Sequence, residues 1–217
     1  GVLFRNSEIF IPEVLVAAKN NERLGSPRML PGGQAVLFAV ATGGNGNEFS
    51  SATWDQAKTV VQTLQTGARK TLVEGGSDAR YLPTGHLVYA LGGVLFAVPF
   101  DVRRLEVTGS PVGIVEGIAR GTVGVAQFAY SATGTLVYIP GPANVAGMEQ
   151  RVLVLMDRKG AIEQLKVPPG AYGFPRASRD GKRVAYQRAE GKDASIWIYE
   201  LSGAAAPRRL TLPGAGA

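Results

Sequence analysis

Phe174-Pro175-Arg176-Ala177-Ser178-Arg179-Asp180-Gly181-Lys182-Arg183-Val184-Ala185-Tyr186 reads as a short segment, a tight turn closing on glycine, and an apolar strand. Three other stretches follow the same plan. Pro31-Gly32-Gly33 precedes Ala35-Val36-Leu37-Phe38, Pro83-Thr84-Gly85 precedes Leu87-Val88-Tyr89, and Ala132-Thr133-Gly134 precedes Leu136-Val137-Tyr138. The glycines Gly33, Gly85, Gly134 and Gly181 follow one another at intervals of 52, 49 and 47 residues. Such self-similarity marks a repeat architecture and takes precedence over local readings.

Each period holds four strands. Upstream of the turns, Pro27–Leu30, Ala79–Leu82, Phe128–Tyr130 and Phe174–Ala177 would be the innermost strands. Downstream, a third strand is expected over Thr59–Leu64, Val94–Phe100, Val152–Met156 and Ile196–Leu201, and a fourth over Lys70–Val73, Val112–Val115, Ile162–Val167 and Arg208–Leu212. These runs are rich in β-branched and aromatic residues, and Gly, Pro or Asp marks the gaps. The fold class expected is therefore all-β: a β-propeller of four-stranded antiparallel blades, whose period lies slightly above the roughly 40 to 45 residues of the commonest blades. A single blade cannot bury both faces, so blades stack, and Val36, Phe38, Val88, Phe96, Val98, Val137, Leu153, Ile196, Ile198 and Leu210 are expected between them.

Gly1-Val2-Leu3-Phe4 repeats Gly93-Val94-Leu95-Phe96, the opening of a third strand. Residues 1–22 thus read as a half blade, strands three and four, and residues 23–217 as four consecutive blades in a single domain: about four blades and a half, an incomplete or open ring. Exposed strand edges and apolar faces would remain. The expectation is a homo-oligomer joined through them, or a rearrangement of residues 1–22 that covers one end.

The composition agrees. Among 217 residues, 29 are Gly and 13 Pro, with 45% hydrophobic residues, which suits short strands joined by turns and excludes a disordered tail. Cysteine is absent, which removes disulfides and thiolate metal sites. No apolar run approaches the roughly 18 residues of a membrane span and no signal pattern opens the sequence, so the chain reads as soluble, without membrane insertion. The net charge of +6 is spread along the chain apart from Arg103-Arg104 and Arg208-Arg209, and does not gather with aromatics as in a nucleic-acid binder.

The Phe174–Tyr186 stretch, with Ser195-Ile196-Trp197-Ile198-Tyr199-Glu200-Leu201 and Arg208-Arg209-Leu210-Thr211, resembles the repeat of TolB-like propellers. Residues 24–217 are similar to the propeller region fused to bacterial serine/threonine protein kinases, most distinctively in Gly92–Pro111, with Ala97-Val98-Pro99-Phe100-Asp101 and Leu105-Glu106-Val107-Thr108-Gly109. The resemblance implies an interaction or sensing module, and makes an extracytoplasmic parent protein plausible; related rings also scaffold hydrolases. No glycine-rich ATP loop or catalytic His-Arg-Asp run is present, which excludes kinase activity for this chain.

Candidate chemistry is sparse. The single histidine, His86, directly follows a turn glycine, which reads as an exposed turn position. Gly75-Gly76-Ser77-Asp78 is no nucleophile elbow. One His and no Cys cannot assemble an ordinary zinc site. Asn45, Asn47, Glu48 and Asp55 share a polar loop that could meet a divalent cation such as calcium, but it lacks the alternating acidic ligands of a known calcium loop, so a plain solvated loop is the simpler reading and no cofactor is expected. Arg28, Arg80 and Arg176 each stand five residues before a turn glycine, where the remaining repeat has Ala129. Symmetry puts them at equivalent points on innermost strands, where they would either bind a small anionic ligand or pair with carboxylates such as Asp78 and Asp180 as blade-to-blade mortar.

The function expected is a non-catalytic ligand- or protein-binding propeller module, part of a larger sensor or signalling protein. The alternative is a small promiscuous hydrolase of activated esters or phosphoesters at the propeller axis, with Asp78, Asp180 and His86 as candidate catalytic residues; a structural assembly domain is the third reading.

Overall fold

A computed structural model describes residues 14–19, 21–42, 51–121, 123–142, 150–190 and 193–211. The chain forms two compact units, Gly1–Glu116 with Thr122–Val125, and Gly117–Gly121 with Ala126–Ala217. Each contains two antiparallel blades.

In the first unit, β1 (Glu22–Met29), β2 (Ala35–Thr42), β3 (Lys58–Thr63) and β4 (Arg69–Glu74) form a sheet in sequence order, with the short helix α1 (Ser51–Asp55) between β2 and β3. The next blade runs β5 (Ser77–Leu82), β6 (His86–Leu91), β7 (Val94–Asp101), after which the outer position is divided: β8 (Glu106–Val107) pairs with Phe100–Asp101, and β9 (Val112–Val115) with Leu95–Ala97. The second unit holds β10 (Phe128–Tyr130), β11 (Leu136–Tyr138), β12 (Val154–Met156) and β13 (Ile162–Gln164), then β14 (Ala171–Ala177), β15 (Arg183–Glu190), β16 (Asp193–Glu200) and β17 (Arg208–Arg209).

The four repeated turns are one structure. Each closing glycine has positive φ (67°, 79°, 91° and 69° at Gly33, Gly85, Gly134 and Gly181), which L side chains rarely adopt. Each donates its N–H to the carbonyl three residues earlier: Leu30, Leu82, Ser131 and Ser178, at 3.1, 3.0, 3.1 and 3.0 Å. The glycine spacing in the sequence is therefore the spacing of blades.

Packing follows the pleat. Leu37, Leu87, Tyr89, Val98 and Phe100 make one layer between the two blades of the first unit. The opposite face of the first blade, Val36, Phe38, Val40 and Val60, is covered by Val16, which is 5% exposed. The segment carrying Val16 is tied down by Gln62, whose Nε2 donates to the Leu15 carbonyl at 3.1 Å, by Arg69, which donates to the Ala17 carbonyl, and by the Arg69–Glu22 ion pair at 2.9 Å. β2 is consequently buried on both faces, from Ala35 to Ala41. The Gly1–Phe4 half-blade strand lies outside the described residues.

In the second unit, Val137, Leu153, Leu165, Tyr172, Val184, Tyr186 and Tyr199 form the corresponding layer. Ile196 and Leu210, expected in the core, are instead 38% and 47% exposed, and Ile198 is half-buried. Side chains alternate along a strand: Trp197 and Tyr199 take the packed face of β16, so Ile196 and Ile198 take the other. Phe96 is also half-buried, stacked on Tyr89 at 5.7 Å between ring centroids.

The polar loop expected around residues 45–55 contains a structural latch. Trp54 of α1 is 4% exposed, packed with Ala39, Ala41 and Ala57. A methyl group at Gly25 or Gly124 would lie 2.6 or 2.5 Å from its indole, so both glycines permit close approach of backbone to ring. The neighbouring Asp55 accepts the Gly92 N–H on its carboxylate at 2.9 Å and the Gly76 N–H on its carbonyl at 3.0 Å. No described helix is long and apolar enough to cross a membrane.

Candidate ligand-binding site

The innermost strands share a feature that positions the arginines. In β1, β5 and β14 the pairing register jumps between Gly25 and Arg28, Ser77 and Arg80, and Gly173 and Arg176. Within each jump one non-glycine residue has positive φ: Ser26 (49°), Asp78 (52°) and Phe174 (50°). These are β-bulges, which bend a strand and re-aim its side chains. Each arginine is the first paired residue after its bulge, opposite Leu37, Val88 and Ala185 respectively, and Ala129 of the remaining blade stands likewise opposite Val137.

Asp78 is fully buried and accepts two guanidinium groups. Arg80, on the same strand, reaches it with NH2 to Oδ2 at 2.6 Å and Nε to Oδ1 at 3.2 Å; its side chain is 7% exposed. Arg28, from the preceding blade, places NH2 3.5 Å from Asp78 Oδ1 and remains 38% exposed. The Arg28 Nε is buried without a hydrogen-bond partner among the described residues. Two guanidiniums against one carboxylate leave the trio with net positive charge, and Arg28 carries its solvent-facing part. This contact joins neighbouring blades, as mortar would, yet does not exhaust the donors of Arg28.

Arg176 is exposed, its NH1 donating to the Pro175 carbonyl at 2.9 Å. Asp180 lies in the following turn, where its Oδ1 accepts the Ser178 hydroxyl at 2.5 Å and the Lys182 N–H at 3.0 Å. The Ser178 hydroxyl, then the Lys182 N–H, hold its carboxyl below the usual carboxylate range. The carboxylate thus serves the turn.

His86 opens β6 at the hairpin turn, its Nδ1 3.1 Å from the Thr84 carbonyl oxygen, and pairs with Leu82 at the end of β5. Asp78 sits near the beginning of that strand, four residues earlier, or roughly 13 Å at about 3.3 Å per residue. The structure therefore brings together Arg28, Asp78 and Arg80, and places His86 and Asp180 at turns. Of the loop residues considered for a cation, Asn45, Asn47 and Glu48 lie outside the described residues; the Asp55 carboxylate takes the Gly92 N–H. Among the described residues no three His, Cys, Asp or Glu side chains gather as a metal site.

Two residues escaped sequence reasoning. Gln127 is 5% exposed and its Oε1 accepts the Phe174 N–H at 2.6 Å, pinning the bulge of β14 from the adjacent blade. It stands seven residues before its turn glycine, as Ser26, Asp78 and Phe174 do before theirs, and that spacing was the available signal. Arg120, 1% exposed, is bridged to Ala126; nothing in the sequence separates it from the scattered surface arginines.

The sequence matches no protein-family model and no curated protein sequence. Solved structures do resemble it. TolB from Acinetobacter baumannii superposes with TM-score 0.60 at 21% identity, over 89% of this chain and 44% of that one. A TolB from Agrobacterium tumefaciens gives 0.62 at 14%, over 90% and 64%. A Mycobacterium tuberculosis puromycin-hydrolyzing peptidase gives 0.63 at 17%, over 95% and 31%. The chain thus spans less than two thirds of each of these proteins, and at such identities the likeness is one of fold. By fold, the chain is a β-propeller of four-stranded antiparallel blades, similar to those of these solved structures.

Proposed function

We propose that the chain is a non-catalytic ligand- or protein-binding module, a portion of a larger sensor or signalling protein, and that it recognises an anionic group at the bulged ends of its innermost strands. One observation carries this reading: Arg28 shares Asp78 with Arg80, is 38% exposed, and has its Nε buried without a hydrogen-bond partner among the described residues. A carboxylate or phosphate on Arg28 would meet charge-assisted donors already oriented by Asp78. An extracytoplasmic parent protein is in keeping with the repeat's resemblance. The hydrolase reading has less support, since it needs Asp78, Asp180 and His86 to converge and two of the three serve turns.

The test is calorimetric titration of the chain with citrate and with inorganic phosphate, alongside an ester and phosphoester turnover screen. Binding that weakens about tenfold in Arg28→Ala, as expected for loss of a charged hydrogen bond, without turnover, supports the proposal. Turnover that co-purifies with the chain and disappears in Asp78→Asn would overturn it.

A further inference from the structure

The β14 bulge differs from its counterparts in one telling respect. Where β5 has buried Asp78, β14 has Phe174, and this phenyl ring is 48% exposed. An aromatic residue at φ 50° is backbone strain that the surroundings must enforce. Gln127, itself buried, holds the Phe174 N–H at 2.6 Å, and the next residue, Pro175, is buried. Arg176, an exposed residue, turns its NH1 back onto the Pro175 carbonyl, which keeps its guanidinium beside the bulge. The strand therefore presents an aromatic face and a planar cation two residues apart, both solvent-facing and both held by local hydrogen bonds to the same bulge.

We propose that Phe174 and Arg176 form a recognition site for a ligand in which an aromatic ring lies next to a carboxylate. Ring would meet ring in an offset or edge-on contact, and the guanidinium would meet the carboxylate with a charge-assisted hydrogen bond. The pre-set bulge lowers the ordering cost of binding, since neither anchor has to leave its place in the strand. Two sources carry this chemistry: the C-terminal residue of a peptide ending in Phe, Tyr or Trp, and a free aromatic carboxylic acid. The site deepens the proposed binding function but uses different residues from the Arg28–Asp78–Arg80 trio, so each can fail alone.

Three probes test it on the intact chain by amide-resolved NMR titration: N-acetylphenylalanine, its neutral amide, and the peptide Gly-Gly-Phe with a free C-terminus. The expected result is saturable shifts at residues 173–177 with N-acetylphenylalanine, and about tenfold weaker binding of the amide, the loss of one charged hydrogen-bonding partner. Arg176→Gln should weaken the carboxylate probe to the level of the amide. Phe174→Gly should abolish saturation while relaxing the backbone, because glycine accepts positive φ, so loss of binding there is not loss of fold. Tighter binding of Gly-Gly-Phe than of N-acetylphenylalanine assigns the site to peptide termini, and the reverse assigns it to small acids. Equal binding of acid and amide, or binding untouched by Arg176→Gln and Phe174→Gly, overturns the proposal. Binding removed by Arg28→Ala alone would overturn it while leaving the anion-binding module standing.

Discussion

Replacing Asp78 with asparagine removes one negative charge and almost nothing else, since the shapes match and asparagine tolerates the positive φ of 52° at this position. What remains is Arg80, whose side chain is 7% exposed, facing a neutral amide in a fully buried position. Neutralising one partner of a buried ion pair costs about 3–5 kcal/mol, because the other charge stays desolvated. The Arg28 contact adds little: at 3.5 Å, with 38% of its side chain exposed, it belongs with surface pairs worth about 0–1 kcal/mol. Taking m as about 3 kcal/mol per molar in guanidinium chloride, the unfolding midpoint should fall by about 1 M or more. Asp78→Asn combined with Arg80→Met should recover much of that loss, because an apolar side chain needs no counter-ion. A loss below about 1 kcal/mol in the single variant, within the range of surface pairs, would refute the view of Asp78 as the dry, buried counter-ion of Arg80.

Two further outcomes follow from packing and titration. Gly25→Ala places a methyl 2.6 Å from the Trp54 ring and should cost about 1–3 kcal/mol as an overpacked contact; in a Trp54→Leu background the same change should cost much less, and equal losses by thermal unfolding in both backgrounds would remove Trp54 from the latch. Burial first, and the neighbouring Tyr172 second, push the Tyr186 hydroxyl from its ordinary 10.0 up to about 12. Between those values the unfolded chain gives up this proton while the folded chain keeps it, so stability that is complete below pH 10 is lost as pH rises across the window. Denaturant midpoints measured from pH 9 to 12 should fall less steeply in Tyr186→Phe, and an unchanged slope would contradict the burial of Tyr186.

The blades were legible because their turns demand a residue type. Positive φ at Gly33, Gly85, Gly134 and Gly181 selects glycine at each, so the period shows in the letters. The equivalence of Arg28, Arg80 and Arg176 came through the same spacing. The bulges that aim them were invisible, since Ser26, Asp78 and Phe174 have no side-chain property in common and the strain there is imposed by tertiary bonds such as Gln127 to Phe174. Composition hid Trp54 inside a polar loop, and its role depends on two distant glycines. The assignment of Ile196 to the core failed on alternation: with Trp197 and Tyr199 on the packed face of β16, the flanking Ile196 must face away. Asp180, expected with Asp78 among the carboxylates that pair with the arginines between blades, instead takes the Ser178 hydroxyl and the Lys182 N–H of its own turn.

The most direct test of the account is an amide-resolved NMR titration of the whole chain with citrate. If the bulged ends of the innermost strands form the binding face, the largest shifts fall at residues 26–28 and 78–80 and are lost in Arg28→Ala. Shifts confined to the hairpin turns at 84–86 and 180–182, or no saturable shift at all, would contradict it.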